Sequence, residues 1–319
     1  MKMKMVVAAA AMLAACQSFA ADVYPSKPVT LIVAYAPGGM TDILTRKLAV
    51  DLQKTFGQPF IVENKAGATG QIATDYVARR PADGYTILVG ATSHVINPAL
   101  KKNLPYNART AFDPIALLAV SPNFVLVHPQ IKVDNFAAVA EYAKRQGTIP
   151  YGTAGAGGAP HIVGEKLRVQ SGLPLTHVSY KGAGPAMNDL IGGQVPFGIC
   201  ESVTANAYLK TGRVKPIAIA SAQRSKLYPD VPTLNELGYK GFDLSTWVGV
   251  YAPAGTPEPI LARLNAAMRE ALNKKDLLEY IQSTGSDPGA LSLADYRKFV
   301  SAEMDKWQAV ITEIGLKEE

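Results

Sequence analysis

A strand, a glycine-rich turn and the start of a helix follow one another early in the chain, and this unit constrains the fold most. The apolar, β-branched run from Val29 to Val33 predicts a parallel strand that is covered on both faces. Pro37 cannot donate to a sheet ladder, and Gly38 and Gly39 permit a sharp turn. The leucines that then recur at helical spacing are Leu44, Leu48 and Leu52. Free amide hydrogens at such a helix start favour an anion.

The same order of elements recurs along the chain. Predicted strands at 60–63 and 85–89 run into polar or glycine-rich loops at 64–70 and 90–94. In the second half, a strand before residue 154 leads to a glycine-rich loop and to Pro160, which favours a helix start. Another predicted strand, 175–180, runs into the loop 181–185. Ligands of open α/β sheets bind at this carboxyl edge, so we expect the site there.

A chain of 319 residues is long enough for two domains of ordinary size. Apolar runs at 124–127 and 244–251 predict strands that cross between them, and helices are expected at 260–273, 275–283 and 293–314. We therefore predict an α/β protein with two facing α/β domains and a ligand cleft between them. Domain 1 takes residues 22–124 plus 250–319, and domain 2 takes residues 125–249.

Residues 1–21 have the pattern of an export signal peptide. Lys2 and Lys4 precede the apolar run 6–15, and small residues near Ala20 offer a cleavage site. The segment ending at Cys16 also resembles a bacterial lipobox, which would make that cysteine a lipid-modified N-terminus instead. Either interpretation predicts a periplasmic protein. Cleavage near Ala20 would leave Cys200 alone, without an intrachain disulfide.

The formal net charge of +6 suits an anionic small molecule. No basic run is dense enough to predict a nucleic-acid partner. Hydrophobic residues make up 48% and charged residues 18% of the chain, which is a globular composition.

Motifs for catalysis or metal binding are weak. Gly158 stands where a phosphate-binding loop would need lysine, and no Gly-x-Ser-x-Gly elbow is present. His161 and Glu165 lie one helical turn apart without a third ligand nearby, so no metal site is expected. Cys200 is expected to be a buried free cysteine rather than a nucleophile. No cofactor and no catalytic residue are predicted.

Three side chains keep more than one interpretation each. Lys181 suits either an anionic ligand or solvent in its loop. Glu201, at a predicted strand end, suits a ligand amine, a loop cap or water. Trp247 is expected in core or hinge packing more than in ligand stacking.

Several motifs follow one another in fixed order along the chain. They are Ala36-Pro37-Gly38-Gly39 followed by Asp42, Glu63-Asn64 followed by Gly67, Asp83-Gly84-Tyr85-Thr86, Tyr151-Gly152-Thr153 with His161, Tyr180-Lys181-Gly182 followed by Pro185-Ala186, and Ala252-Pro253-Ala254-Gly255-Thr256-Pro257. Together they resemble one known family, the Bug receptors of tripartite tricarboxylate transporters. The resemblance implies a type II periplasmic-binding fold in which loops 36–42 and 153–158 pinch a small carboxylate. This chain departs from many relatives at Cys200-Glu201, where they carry aspartate and then a small or amide residue.

The resemblance and the strand ends together give the expected function and site. We expect a solute-binding protein, acting as a monomer, that captures a small organic carboxylate and delivers it to the integral-membrane subunits of the transporter. A receptor that signals to a sensor kinase is the alternative, and an exported enzyme is a third. The expected ligand-binding residues are Tyr35, Ala36, Pro37, Gly38, Gly39, Thr41, Asp42, Thr92, Ser93, His94, Thr153, Ala154, Gly155, Gly157, Gly158, His161, Lys181 and Glu201.

Overall fold

The computed structural model describes residues 24–316, and within them the strands form two sheets. The strands are β1 (Val29–Val33), β2 (Phe60–Asn64), β3 (Thr86–Ala91), β4 (Phe112–Ser121), β5 (Asn123–Val127), β6 (Ile149–Thr153), β7 (Leu175–Ser179), β8 (Phe197–Glu201), β9 (Lys215–Ile219), β10 (Thr246–Pro253) and β11 (Asp287–Pro288). The expected signal peptide and Cys16 lie outside the described residues. Across 24–316, no helix is long and apolar enough to cross a membrane.

Ten helices connect these strands in the described part of the chain. They are α1 (Met40–Phe56), α2 (Gln71–Ala78), α3 (Ser93–Leu100), α4 (Ala137–Gln146), α5 (Ala159–Ser171), α6 (Ala183–Ile191), α7 (Ser202–Leu209), α8 (Glu258–Leu272), α9 (Lys275–Ser283) and α10 (Leu293–Ile314). A short 3-10 turn at Ala68–Gly70 precedes α2.

The first sheet has the order β11-β4-β10-β3-β1-β2. Strands β2, β1 and β3 run parallel, whereas β10 runs antiparallel to both β3 and β4. Every residue of β10 is buried, and four of the five in β1 are, because helices cover both faces of the sheet. The parallel strands therefore end at one carboxyl edge, which leads into the loop before α1.

The second sheet has the order β7-β6-β8-β5-β9. Strands β6, β7 and β8 run parallel, and β5 pairs antiparallel with β8 and β9. Its carboxyl edge likewise leads into the loop before α5, so each sheet presents a glycine-rich loop and a helix start at the same kind of edge.

Crossing segments bring the two carboxyl edges together. β4 ends at Ser121, which pairs with Thr246 at the start of β10, beside the carboxyl end of β3. β5 begins at Asn123, which pairs with Glu201 at the carboxyl end of β8. The Asn123 side-chain amide donates to the Leu244 carbonyl at 2.7 Å and ties the two crossings together. The register thus places a cleft between the two edges.

The crossings fit the two-domain division. The sheets change at residues 121–123 and again before Thr246, close to the boundaries expected at 124/125 and 249/250. We propose the division at those boundaries, with residues 22–124 plus 250–319 in one domain and 125–249 in the other; β5 begins two residues before the first boundary and β10 four residues before the second.

Most predicted elements are confirmed, and α9 and α10 have the expected bounds. The predicted loop at 90–94 is wrong, because β3 continues to Ala91 and α3 begins at Ser93. Three further elements, β4, α7 and β11, were not expected, and neither was the rest of α3. Trp247 is buried in the core, where its indole Nε1 donates to Glu303 Oε2 at 2.9 Å.

Candidate functional site

The first loop, residues 36–39, joins β1 to α1 and is exposed. Gly38 has φ +85°, a left-handed conformation that glycine adopts without strain, and Gly39 returns to extended backbone at φ −80° and ψ 171°. The Gly38 amide donates to Asp42 Oδ2 at 2.9 Å. This hydrogen bond fixes the loop on the first turn of α1.

The Asp42 carboxylate is almost fully buried and also receives hydrogen bonds from two other side chains. Arg46 Nε donates to it at 3.0 Å, and Asn64 Nδ2 donates to it at 2.9 Å. Burial opposes ionisation, but the hydrogen bonds from Arg46, Gly38 and Asn64 outweigh burial and lower the pKa of Asp42. The carboxylate that shapes the first loop is therefore charged at neutral pH and is fully occupied by the protein itself.

The second loop, residues 154–158, joins β6 to α5 with closely similar geometry. Gly157 has φ +75°, and Gly158 is extended at φ −82° and ψ 164°. The Gly157 amide donates to His161 Nδ1 at 3.1 Å. Pro160 lies in the first turn of α5, as the sequence predicts.

Both helix starts present amide hydrogens toward the cleft edge. The first helical bond of α1 runs from Ile43 N to the Gly39 carbonyl, so the amides of Met40 and Thr41 have no acceptor within the helix. The first bond of α5 likewise runs from Ile162 N to the Gly158 carbonyl, which leaves the amide of His161 without a helical acceptor. Each helix start therefore combines free donors with the positive end of a helix dipole.

Polar side chains that follow β1 and β3 lie on the first domain's side of the cleft. The Tyr35 hydroxyl forms a hydrogen bond with the Ser93 hydroxyl. Burial raises the pKa of Tyr35 to about 12, although the Ser93 bond opposes this and the Glu201 carboxylate adds to it. Thr92 is used internally, because its Oγ1 accepts the Trp247 amide at 2.7 Å.

Glu201 and Lys181 come from the second domain. Glu201 ends β8, and burial raises the pKa of its carboxyl group. Its charge contributes to the raised pKa of Tyr35 in the first domain. Lys181 is exposed, and the next residue ties its loop to the second loop through a hydrogen bond from Gly182 N to the Ala154 carbonyl at 3.0 Å. Both interpretations of Lys181 remain open.

His94 packs in the core instead of at the cleft. Its ring lies 4.2 Å from the Tyr251 ring and 5.1 Å from the Phe112 ring, between centroids. Phe112 pairs with Pro253, at the end of β10 farthest from the crossings. Beside these residues lies a cavity of about 260 Å³ at the back of the domain. The structure therefore gives no support to the expectation that His94 contacts the ligand. Because α3 begins at Ser93, one helical step of about 100° separates the direction of the His94 side chain from that of Ser93.

Burial makes His94 a neutral residue. Burial alone lowers the pKa of His94 to about 4, and neither ring nitrogen has a hydrogen-bond partner among the described residues. Such an imidazole behaves as an aromatic packing residue at neutral pH.

Two residues that shape the site were not predicted from sequence. Asn64 Nδ2 donates to the Tyr35 carbonyl at 3.0 Å as well as to Asp42, which joins β2 to the first loop. His177 Nε2 lies 2.7 Å from Thr153 Oγ1, at the start of the second loop. Asn64 could have been found as a polar residue at a strand's carboxyl end, whereas His177 depends on the register between β6 and β7.

Titratable groups elsewhere near the site do not form a metal centre. In residues 24–316, no three His, Cys, Asp or Glu side chains come together in a way that could hold a metal ion. Cys200 is a buried free cysteine, as expected, and burial raises the pKa of its thiol.

Comparisons with known proteins agree with this geometry. The family model described as "Tripartite tricarboxylate transporter family receptor" matches residues 44–316. Protein BugT from Bordetella pertussis (strain Tohama I) is 35% identical over 300 residues, which cover 93% of this chain and 92% of BugT.

Two solved structures share the fold. An R. palustris protein with adipate has TM-score 0.85 and 32% identity, covering 92% of this chain and 99% of its own. MatC from Rhodopseudomonas palustris with bound malate has TM-score 0.81 and 34% identity, covering 90% of this chain and 100% of its own. The periplasmic binding protein BugD also matches, with TM-score 0.83 and 34% identity, covering 93% of this chain and 100% of its own, and these similarities confirm the expected α/β periplasmic-binding fold.

Proposed function

The chain belongs to the tripartite tricarboxylate transporter receptor family, and on that premise we propose that it captures a small organic carboxylate between its two domains. One observation carries the proposal: α1 and α5 start in the same way, each behind a left-handed glycine, at carboxyl edges that the crossing segments bring together. Two structural neighbours hold adipate and malate, which are small carboxylates.

Backbone amides supply the binding energy in this proposal. A hydrogen bond to a charged group contributes about 1.5–3 kcal/mol. Three such bonds, from Met40, Thr41 and His161, contribute about 4.5–9 kcal/mol before the cost of association, and contacts with the rest of the ligand supply the remainder of a micromolar affinity of about −8 kcal/mol. Arginine is not needed at the carboxylate.

The ligand's other end meets Glu201. A second carboxylate near this residue would be repelled unless Lys181 or proton uptake offsets the charge. A monocarboxylate with an amino, hydroxyl or aromatic group therefore fits this end without cost, and a dicarboxylate fits if its second group lies away from Glu201.

The receptor delivers this ligand, in our proposal, to the integral-membrane subunits of a tripartite tricarboxylate transporter. It works as a monomer in the periplasm and carries out no reaction. Family membership supports this assignment.

A thermal-shift panel tests the proposal. The acids are adipate, malate, citrate, acidic amino acids, nicotinate and the phthalate isomers, each beside its methyl ester or amide. A ligand at 100 times its dissociation constant adds about 2.7 kcal/mol of stability and raises the melting temperature. We expect at least one acid to stabilise the protein and its ester to give no shift. Equal stabilisation by acid and ester would contradict carboxylate capture, and turnover of a panel member would contradict the assignment as a binding protein.

A further inference from the structure

The two loops are held by equivalent hydrogen bonds, which we call glycine latches. In each latch, the amide of a left-handed glycine donates to the side chain four residues later. Gly38 donates to Asp42 Oδ2 at 2.9 Å, and Gly157 donates to His161 Nδ1 at 3.1 Å. The φ angles of these glycines are +85° and +75°. The loops therefore share one geometry and differ in the chemistry of the acceptor.

That difference makes one latch sensitive to acid. A carboxylate keeps its acceptor oxygens until it is protonated, and the pKa of Asp42 is lowered from an already acidic value. An imidazole nitrogen accepts only while it carries no proton. The bond from Gly157 therefore requires a neutral His161 with its proton on Nε2. A proton on Nδ1 would set two donors against each other and break the latch.

A second histidine is stacked on the first. The His161 and His177 rings lie 3.9 Å apart between centroids, at an interplanar angle of 26°. Thr153 Oγ1 donates to the Gly155 carbonyl at 3.0 Å, so His177 Nε2 serves as the donor to Thr153 Oγ1 at 2.7 Å. Both rings thus hold the second loop, and a charge on one ring disfavours a charge on the other.

The groups around the pair offset that charge only in part. Glu165, on the same helix, lies 4.0 Å from His161 Nε2, but its carboxylate already accepts from Tyr151 on β6 and from Arg168, both at 2.8 Å. Burial lowers the pKa of His161 although Glu165 opposes this. Burial, followed by the charge of His161, lowers the pKa of His177 to about 4, again against Glu165.

Among residues 24–316, the other groups beside the pair supply no further counter-charge. The ammonium of Lys166, the next charged residue along α5, pairs with Glu313 and lies over the Phe242 ring. From the first domain, the neighbour of Gly157 is the apolar side chain of Leu100.

We propose that His161 and His177 are positioning residues for the second loop, which keeps its ligand-holding shape only while the His161 ring is uncharged. Acid then weakens capture through the second loop, while the first loop stays formed on Asp42. This inference rests on the proposed function insofar as the second loop holds the ligand, and it adds a pH dependence that the proposed function alone does not require.

The first experiment uses the full mature chain without ligand. Nitrogen-15 NMR follows the His161 imidazole and the amides of Gly157 and Gly38 from pH 7.5 to pH 4.5. We expect a neutral His161 with its proton on Nε2 and a Gly157 amide that shifts as His161 titrates, while the Gly38 amide stays constant. A neutral ring with its proton on Nδ1, or a Gly157 amide that ignores the titration, would overturn the inference whatever the protein binds.

The second experiment measures calorimetric affinity for malate and adipate at pH 7.5 and pH 5.0. His161→Asn keeps an oxygen acceptor close to the position of Nδ1 but cannot titrate. We expect acidification to reduce the affinity of the wild-type protein at least tenfold more than that of this variant. The two proteins are compared with the same acid, because malate and adipate themselves take up protons in this pH range. His128→Asn replaces a histidine outside the site and should keep the wild-type profile.

The outcomes separate the two proposals. Equal losses in wild-type protein and His161→Asn would overturn the positioning role while leaving carboxylate capture intact. If neither probe binds at pH 7.5, capture of these acids fails, and the NMR titration alone decides the latch.

Discussion

Removing the Asp42 carboxylate should destabilise the protein far more than removing an exposed aspartate. Asp42 is 3% exposed and accepts hydrogen bonds from Gly38, Asn64 and Arg46. The bonds from Gly38 and Asn64 to a charged acceptor contribute about 1.5–3 kcal/mol each. The Arg46 side chain is 50% exposed and turns to water, so that ion pair contributes below about 1 kcal/mol.

Some of this energy is regained in the variant. The Gly38 amide lies in an exposed loop that water can reach, and Asn64 keeps its bond to the Tyr35 carbonyl. We therefore expect Asp42→Ala to lower the free energy of unfolding by about 2–4 kcal/mol. Asp42→Asn keeps an oxygen acceptor and should cost about half as much.

Urea unfolding followed by circular dichroism measures both variants, and Asp75→Ala is the matched control. Asp75 also pairs with an arginine four residues later, at 2.8 Å, but the Arg79 and Asp75 side chains are 67% and 30% exposed. Such a pair contributes below about 1 kcal/mol. Equal losses for Asp42→Ala and Asp75→Ala would refute the claim that a buried network shapes the first loop.

The pH dependence gives a second check on Asp42. Because hydrogen bonds from Arg46, Gly38 and Asn64 outweigh burial and lower the pKa of its carboxyl group, the unfolded state binds this proton first. The stabilisation is therefore present above the unfolded value of about 3.9 and is lost as pH falls through the folded pKa. The difference between wild-type protein and Asp42→Asn should be constant from pH 7 to pH 5 and should shrink below pH 4.

Three further predictions concern the loops, the cleft and the core. Gly38→Val and Gly155→Val should each reduce calorimetric ligand affinity at least tenfold, because these glycines have φ +85° and +156°; unchanged affinity in both would remove the loops from the site. Glu201→Gln should raise affinity for a dicarboxylate relative to its monoester by removing a like charge, and an unchanged ratio would place the second carboxylate elsewhere. His94→Phe should reduce the fall in the free energy of unfolding between pH 6.5 and pH 4 by about 3 kcal/mol, because the pKa of His94 is lowered to about 4 in the folded state and the unfolded state takes the proton first. A wild-type pH dependence in urea unfolding would show that His94 is not buried in its neutral form.

The repeated strand–glycine–helix units were predictable because their local signals agree with the fold. The apolar run of β1, the glycines after it and the leucines of α1 all favour the elements that form. The helix α3 was not predictable, because Val95, Ile96 and Pro98 are weak helix formers. The burial of this segment against the sheet, rather than its local helix propensity, makes it helical.

The site was predictable as a set of loops but not as a set of side chains. The sequence places the glycines and the helix starts, so both loops could be located. It does not reveal that the side chains of Asp42 and His161 accept hydrogen bonds from the amides of the loops themselves. It also does not reveal that His177 lies beside Thr153, since that contact depends on pairing between strands that are distant in sequence.

The most direct test of carboxylate capture is a crystal structure of the protein with the acid that gives the largest thermal shift. The account predicts one carboxylate of that acid within hydrogen-bond distance of backbone amides at both helix starts, Met40 or Thr41 on one side and His161 on the other. A ligand that contacts only one helix start, or that occupies the cavity beside His94 instead, would contradict it.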